Sequence, residues 1–492
     1  MRKPLVLVGL VVIALVVAAC TSADDAAPTT TQPTTTTSST TTATTTVPAT
    51  TTTPVAQARP GAADLGDSLY AGIGNGGYDV AHYDLNLVIE PDSDSIAGIV
   101  TIEATATQAL SRFNLDLIGF EVERVTVDGD QAEFTRDDAE LVITPNRDLA
   151  SGSVFTTEIK YSGTHEPFRP EAFNGTETIG WTDGSDGTEY VISEPDASRS
   201  WFPVNDHPSD KATFTFSLTV PNDVIAIANG TNTSVVTDIG SDTWQWSMDE
   251  PMAPYLATVI VGDYEILTDD TGPVPIRNAF PAGYRVPSDV DLTNDIMDMF
   301  IELIGPYPFD EYGIAVVRGF GFALENQSLS VFGPELVFAD VIVHELAHQW
   351  FGNAVTPADW GDIWLNEGFA TYAEFLWTER QFGRDFIETQ FRDIRNAING
   401  NANFSPPGSP PANALFNGGV YIRGAMVLHA LRLEVGDDAF FETLQTYYQR
   451  HRNGTVRTAD FIAVAEEVSG GQLDDLFDAW LYEDDIPEFP SG

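Results

Sequence analysis

Two short stretches decide the fold of the second half of this chain: HELAH at residues 344–348 and WLNEGFA at residues 364–370. Apolar residues surround the polar ones in the first stretch, which predicts a helix. On a helix, His344 and His348 share one face, and two imidazoles at that spacing can hold one zinc ion. Glu345 lies about 100° further round the helix. It is therefore near such an ion but not in line to ligate it, where a general base would stand.

A third metal ligand is available at Glu367, which eighteen residues separate from His348. Glu367 opens a second amphipathic run at 366–377, so its carboxylate would come from a second helix. Two histidines and one carboxylate leave the fourth position of a catalytic zinc site open for water. The plainer interpretations are a buried histidine pair, because HExxH also occurs by chance, and a helix-start acid favoured by the helix dipole. The second stretch at this distance favours the metal centre.

The two stretches, extended to HELAHQWFGN at 344–353, resemble the zinc aminopeptidases of the aminopeptidase N and leukotriene hydrolase family. The resemblance runs from roughly residue 70 to the end of the chain. It implies one Zn²⁺ per chain on His344, His348 and Glu367, with Glu345 as the catalytic base. It also implies that the substrates are peptides with a free N-terminus.

A further stretch, GFALENQ at 321–327, resembles the family segment that lies along the bound peptide. Glu325 matches the glutamate that holds the free amine of the substrate, and Ala323 and Asn326 belong to the same segment. The plainer interpretation of Glu325 is a surface acid, which its apolar neighbours disfavour. Phe322 stands where the family has glycine, which leaves the shape of the first side-chain pocket open.

Two more candidates come from the resemblance. Glu194 stands where the family has an acidic or amide residue that also grips the amine, although it could be one loop acid among many. Tyr421 begins a Tyr-Ile-Arg-Gly segment that resembles the family's Tyr-x-Lys-Gly, with Arg423 in place of lysine. The family tyrosine donates a hydrogen bond to the oxyanion of the tetrahedral intermediate. The alternative for Tyr421 is a helix-start residue that packs on the core.

The function that these residues imply is a zinc aminopeptidase that removes N-terminal residues by attack of a metal-activated water. One alternative is a zinc endopeptidase or another hydrolase on the same fold. The pair Glu194 and Glu325 disfavours it, because an endopeptidase has no ammonium group to bind. The other alternative is a non-catalytic tethered binding protein at the cell surface, which the complete set of site residues disfavours.

The predicted fold class is α+β, with an N-terminal antiparallel β domain at 65–265 and a thermolysin-like, helix-rich zinc catalytic domain at 266–492. Apolar and polar residues alternate at 83–89 and 214–220, as in half-buried strands. The pairs Asp128-Gly129 and Asn229-Gly230 indicate hairpin turns. Helical periodicity follows at 290–304, 339–351, 366–382, 385–399, 422–435, 438–451, 458–468 and 473–481.

Residues 1–20 have the positive start, apolar run and small-residue end of an export signal. The end resembles a bacterial lipoprotein box in which Cys20 becomes lipidated, whereas an ordinary cleaved signal would give a secreted protein. Residues 21–64 are rich in Thr, Ala and Pro and predict a disordered tether. The expected location is therefore the bacterial cell surface, on a membrane anchor and a long tether.

The formal net charge is −50, and Cys20 is the single cysteine. Such a charge excludes binding to nucleic acid or to an anionic membrane surface through general electrostatics, so the lipid at Cys20 is the expected membrane contact. One cysteine also excludes an intrachain disulfide and a Cys-rich zinc site. The acidity fits either a strongly solvated surface or life in high salt.

Overall fold

The structure is a computed structural model that describes residues 57–165 and 168–491. The predicted export signal, Cys20 and residues 21–56 of the predicted tether lie outside these residues. The tether prediction is wrong at its end, because Arg59–Pro60 form a strand that pairs with Leu110 and Arg112. Within the described residues, no helix combines the length and the apolar character needed to cross a membrane.

The described residues up to Gly262 form three β-sheets. Their strands are β1 Arg59–Pro60, β2 Tyr78–Glu90, β3 Ser95–Ala106, β4 Leu110–Asp116, β5 Glu121–Val127, β6 Asp130–Gln131, β7 Glu133–Asp137, β8 Glu140–Thr144, β9 Val154–Thr164, β10 Gly180–Asp183, β11 Glu189–Ile192, β12 Ala212–Pro221, β13 Ile225–Ala228, β14 Thr231–Thr237, β15 Ser241–Met252 and β16 Val259–Gly262. The sheets run β1-β4-β8-β7, β10-β11-β16-β13 and β14-β15-β12-β2-β3-β9-β5-β6.

The largest sheet confirms the predicted alternation. On β2, Tyr83, Leu85, Leu87 and Ile89 are fully buried, and exposed or half-buried residues separate them. The apolar residues of β12 point to the same buried side, because strands β2 and β12 lie side by side in the sheet. That pair is parallel, whereas β2 with β3 and β3 with β9 are antiparallel as predicted.

The two predicted hairpin turns have different outcomes. Asp128 and Gly129 both have positive φ and connect β5 to its antiparallel partner β6, as a two-residue hairpin requires. The prediction for Asn229-Gly230 is wrong, because this pair connects β13 in one sheet to β14 in another. Asn229 is buried, and its side-chain amide donates to the carbonyls of Leu256 and Gln327. The pair therefore joins elements that are distant in sequence.

The rest of the chain holds a mixed sheet and eight helices among the described residues. The sheet runs β17-β18-β19-β21-β20, and β22 pairs with β23. The strands are β17 Tyr264–Asp269, β18 Ile276–Pro281, β19 Ile314–Val316, β20 Ala323–Leu324, β21 Ser330–Phe332, β22 Val355–Pro357 and β23 Gly454–Val456. The helices are α1 Thr293–Leu303, α2 Ala339–Ala347, α3 Trp364–Phe382, α4 Arg384–Ile398, α5 Gly424–Val435, α6 Asp437–His451, α7 Thr458–Ser469 and α8 Asp474–Leu481.

All eight predicted helices are present within a few residues of their expected bounds. The mixed sheet was not predicted, because most of its strands are short and several are buried on both faces, so they lack the period-two signal. Helices α3 and α5 approach each other at Gly368 and Gly424, where a Cβ atom on Gly368 would lie 2.8 Å from Gly424 Cα. Glycine at both positions therefore lets the two backbones meet. This contact fixes the start of α3 relative to the segment that precedes α5.

Candidate active site

Three metal-ligating side chains converge where α2 meets the first turn of α3. His344 lies on α2, His348 caps its C-terminal end, and Glu367 lies on α3. All three are buried, and one ligand atom from each lies within 4.8 Å of the others. His344 Nε2 is 3.1 Å from Glu367 Oε2, and His348 Nε2 is 3.4 Å from the same oxygen. Ligand atoms about 2.0–2.1 Å from a tetrahedral zinc ion would be about 3.3 Å apart. The donor types and their separations therefore fit one zinc ion.

The second ring nitrogen of each histidine also has a partner. His344 Nδ1 is 2.8 Å from Glu374 Oε1, and His348 Nδ1 is 3.2 Å from the carbonyl oxygen of Phe351. With Nδ1 protonated, each histidine presents the Nε2 lone pair to the common point, which is how such outer partners orient metal ligands. Sequence reasoning missed both partners. Glu374 could have been found because it lies seven residues after Glu367, on the same helix face, whereas a backbone carbonyl leaves no sequence signal.

Glu345 and Tyr421 lie on two sides of this centre. Glu345 is buried on α2, and its Oε2 has no hydrogen-bond partner among the described residues. Tyr421 lies in a π-helical turn at Gly419–Arg423 that precedes α5, and its ring stacks against His344 with centroids 6.0 Å apart. Burial, together with the surrounding carboxylates, holds the pKa of Tyr421 well above its usual range. The phenol is thus a hydrogen-bond donor at neutral pH.

Glu194 and Glu325 are brought to the same place from different parts of the chain. Glu194 follows β11 and Glu325 follows β20, and both are buried, with 4% and 2% of their surface exposed. One carboxylate oxygen of each has no hydrogen-bond partner among the described residues. Carboxylate oxygens of Glu325 and Glu345 lie within 4.8 Å of each other and of a ring nitrogen of His348. Glu325 therefore borders the candidate metal site, and Glu194 is close enough for the charges of Glu325, Glu367 and Glu345 to act on its pKa.

The electrostatics of the site favour a cation. Burial and the negative charge of Glu325, Glu367 and Glu345 hold the pKa of Glu194 well above its usual range. Burial likewise raises the pKa of Glu345 to about 8, against the opposing effect of the two histidines. Carboxylates crowded together out of water repel one another, and a cation between them relieves that repulsion.

The Glu325 segment is tied to the end of the histidine helix. The carbonyl of Glu325 accepts hydrogen bonds from Gln349 Nε2 at 3.0 Å and from Asn353 Nδ2 at 2.7 Å. Asn326, in contrast, donates to the carbonyl of Leu256 at 3.0 Å, so its amide holds the segment in place. Ala323 is half-buried on β20, at the edge of the mixed sheet.

The two departures from the family pattern lie in different environments. Phe322 is 40% exposed beside the Glu325 segment, edge-on to Phe320 at 6.0 Å between centroids. Arg423 is fully buried, and it donates to four carbonyls, those of Phe404, Trp480, Glu483 and Asp484. Its guanidinium therefore holds the C-terminal segment, and it does not bond to the metal-ligating residues.

Comparison with known proteins agrees with this geometry. Residues 80–256 match the Peptidase M1 N-terminal domain, and residues 289–480 match the Peptidase family M1 domain. The crystal structure of an M1 zinc metallopeptidase from Deinococcus radiodurans is 33% identical, with a TM-score of 0.80 over 87% of this chain and 99% of that one. A mutant of that metallopeptidase, bound to a Tyr-Ser-Ala substrate, matches equally well at 33% identity.

Longer relatives match as well. Aminopeptidase N of Streptomyces lividans is 27% identical over 81% of this chain and 49% of its own length. Aminopeptidase 2 of Candida albicans is 27% identical over 81% of this chain and 46% of its own length. This chain thus spans about half the length of these curated relatives. The α+β fold and the histidine–glutamate centre are those of a zinc metallopeptidase. The chain belongs to the peptidase M1 family.

Proposed function

We propose that this protein is a zinc aminopeptidase that removes one residue at a time from the free N-terminus of peptides. The observation that supports this most strongly is the position of Glu194 and Glu325. Both carboxylates are buried, and each has an oxygen without a partner among the described residues. Atoms of Glu325 lie within 4.8 Å of Glu345 and His348 atoms. Glu194 is close enough to Glu325 and the metal-ligating centre for their negative charge to raise its pKa. A substrate ammonium group supplies the cation that such a pair binds, through charge-assisted hydrogen bonds.

His344, His348 and Glu367 would hold the zinc ion. Zinc bound there would polarise the substrate carbonyl and lower the pKa of a water molecule to about 7. Glu345 lies beside these ligands, and one of its carboxylate oxygens has no hydrogen-bond partner in the described part of the chain. It accepts the proton of the attacking water and passes it to the leaving amine. Tyr421 donates a hydrogen bond to the oxyanion that develops on the substrate carbonyl.

The peptide itself has a place to bind along β20. This strand pairs with β21 on one side, through Ala323 with Phe332 and Leu324 with Val331, and it forms the edge of its sheet. An extended peptide can add to such an edge through backbone hydrogen bonds. Glu325 follows this strand directly, so a peptide paired there would have its amino end held at the carboxylate pair. Glu194 and Glu325 would then set which peptide bond is cleaved.

Hydrolysis of matched free and N-acetylated peptides tests this function. Hydrogen bonds to charged groups contribute about 1.5–3 kcal/mol each. Loss of two such bonds exceeds about 3 kcal/mol, so we expect acetylation to reduce kcat/KM more than about a hundredfold. Glu325→Gln should narrow this difference, whereas Glu335→Gln, which changes an exposed acid ten residues further on, should leave it unchanged. Similar rates on free and acetylated peptides, or first cleavage at internal bonds, would contradict the aminopeptidase assignment.

We also propose that the protein is exported and anchored at the bacterial cell surface by a lipid on Cys20, with residues 21–56 as a tether. The support is the sequence of residues 1–20 and the position of the single cysteine at the end of the small-residue box. Labelled fatty acid should be incorporated into the native protein and not into Cys20→Ser. If the native protein is never labelled in its host, simple secretion replaces this proposal.

A further inference from the structure

A second group of metal-ligating side chains lies in the β domain and shares no residue with the centre at α2 and α3. It consists of Asp94, His165, Asp183 and Glu189, and one ligand atom from each lies within 4.8 Å of the others. Asp94 ends the turn between β2 and β3, and His165 directly follows β9. Asp183 and Glu189 stand opposite each other in the β10–β11 hairpin. Three separate parts of the domain therefore supply these side chains.

Two of the four side chains are buried, and each has one polar atom without a hydrogen-bond partner among the described residues. Glu189 is 2% exposed, and its Oε2 accepts a hydrogen bond from Trp181 Nε1 at 2.9 Å. Its Oε1 has no hydrogen-bond partner among the described residues. The side chain of His165 is 8% exposed, and its Nε2 likewise has no hydrogen-bond partner in the part of the chain that the structure describes. A buried polar atom without a partner costs free energy, so this arrangement needs a further group to stabilise it.

The unpartnered nitrogen of His165 lies near another member of the group. His165 Nε2 lies 3.7 Å from Asp183 Oδ1, which is beyond hydrogen-bond distance. It is close to the separation of about 3.3 Å that two ligand atoms have on a tetrahedral ion with bonds of about 2.0–2.1 Å. The backbone N–H of His165 donates to the carbonyl of Asp94 at 3.3 Å, which fixes the two chain segments together. A small closure of the side chains would therefore bring the ligand atoms onto one ion.

We propose that this second group of side chains binds a divalent transition-metal cation such as Zn²⁺. This ion would be additional to the zinc ion at His344, His348 and Glu367, which we call the M1 centre. An imidazole nitrogen favours Zn²⁺ and its neighbours in the first transition row over Mg²⁺ and Ca²⁺, which take oxygen ligands. Three carboxylates supply the negative charge that balances the ion. Four side chains would fill all four coordination positions of a tetrahedral ion and leave none open for water. Structural zinc sites have this arrangement.

Such an ion would hold the β10–β11 hairpin against the turn between β2 and β3. Glu189 at the start of β11 lies five residues before Glu194, which borders the M1 centre. The ion would thus stabilise the strand that leads into the site without belonging to it. This inference does not depend on the reaction that the M1 centre catalyses.

Zinc binding by the full-length protein tests the proposal. The protein is stripped with a chelator and titrated with Zn²⁺ by calorimetry, in a buffer with excess Ca²⁺ to occupy the many surface carboxylates. We expect two zinc ions per chain in the wild type. Glu367→Ala should lose the ion of the M1 centre and keep the other, whereas His165→Ala should show the reverse.

Asp183→Asn provides a second variant that is expected to fold, because the Asp183 side chain is 55% exposed. Asp183→Asn should lower the zinc affinity of the second site at least about tenfold. Mutation of a residue that only hydrogen-bonds to a metal ligand already costs about that much, and Asp183 is itself a proposed ligand. Asp223→Asn, which removes an exposed acid between β12 and β13, is the matched control and should keep both sites. One zinc per chain in the wild type would overturn the proposal. So would a second zinc that binds with wild-type affinity in both Asp183→Asn and His165→Ala.

Discussion

Glu374→Ala removes the side chain that accepts the His344 Nδ1–H bond at 2.8 Å. The Glu374 side chain is only 17% exposed, so solvent cannot fully replace the lost acceptor. A hydrogen bond to a charged group of this kind contributes about 1.5–3 kcal/mol. That range corresponds to a loss of about 10- to 150-fold in zinc affinity. The independent range for changes in the outer partners of metal ligands, about 10- to 100-fold, agrees with it.

Glu374→Gln separates the two contributions of this residue. The amide oxygen can still accept from Nδ1 and keep the ring of His344 in place, but the negative charge that raises the basicity of the imidazole is gone. We therefore expect about a tenfold loss for Gln, at the lower end of the range for outer partners, and a larger loss for Ala. Glu434→Gln on α5 makes the same change in charge at an exposed position and is the matched control.

These variants are compared by hydrolysis of a free aminoacyl substrate at free zinc concentrations that a zinc buffer sets. The measured quantity is the free zinc concentration that restores half of the full activity. This readout reports the M1 centre alone, whatever other zinc ions the chain binds. We expect the wild type and Glu434→Gln to need the lowest zinc concentration. Glu374→Gln should need more, and Glu374→Ala should need the most. If Glu374→Ala is restored at the same zinc concentration as the wild type, the hydrogen bond does not orient His344 and the reasoning fails.

Three further predictions follow from the described side chains. Glu345→Gln should retain zinc and melt like the wild type but lose several orders of magnitude in kcat, because base and proton donor are lost together; stoichiometric zinc with near-normal kcat would refute the role. Tyr421→Phe should lower kcat about 10²- to 10³-fold with little change in KM, as loss of an oxyanion donor does, and steady-state kinetics will show whether the effect falls on KM instead. Burial raises the pKa of Asp210 to about 7 from its ordinary 3.8, so the folded state binds more protons between these values and the free energy of unfolding falls as pH rises through them. Urea unfolding at pH 5 and pH 8 should therefore show the wild type losing up to about 2.7 kcal/mol relative to Asp210→Asn, and equal pH dependence of the two would contradict the shift.

The site was predictable from sequence where chemistry and local periodicity coincide. His344 and His348 lie within one helical run, so helix geometry predicts that they face one point, with Glu345 beside it. The resemblance to the aminopeptidase family added Glu367, which begins the next helix. Glu325 was predicted from its segment, and the structure places its carboxylate within 4.8 Å of Glu345 and His348 atoms. These residues could be found because each belongs to a short pattern with a regular backbone.

Other features depend on packing between distant segments, and local pattern does not encode that packing. Glu374 lies on the same face of α3 as Glu367, which local spacing indicates, but its bond to His344 Nδ1 depends on how α2 and α3 pack. The pair Asn229-Gly230 has the local sequence of a hairpin turn, yet the side chain of Asn229 bonds to Gln327, almost a hundred residues away. A local preference is overridden where a buried polar side chain finds partners elsewhere, because leaving it unpaired would cost more.

Under the proposed function, substrate register depends on both domains. The metal ligands, Glu345 and Tyr421 all follow Gly262, whereas Glu194 belongs to the β domain. Two bonds hold the β domain on the segment just after Glu325: Asn229 Nδ2 donates to the Gln327 carbonyl at 2.8 Å, and Gly230 N–H donates to Ser328 Oγ at 2.8 Å.

A third bond joins the β domain to the end of the histidine helix, where Lys211 Nζ donates to the carbonyl of Asn353 at 2.7 Å. Asn353 in turn donates to the carbonyl of Glu325 at 2.7 Å, so these contacts reach both ends of the segment that carries Glu325. The catalytic domain can therefore hold zinc and move protons with its own residues. The distance between the Glu194 and Glu325 carboxylates, proposed to bind the substrate amine, is in contrast fixed by the contact between the domains. Changes at that contact should alter how well the enzyme distinguishes a free amino end while the zinc ligands stay in place.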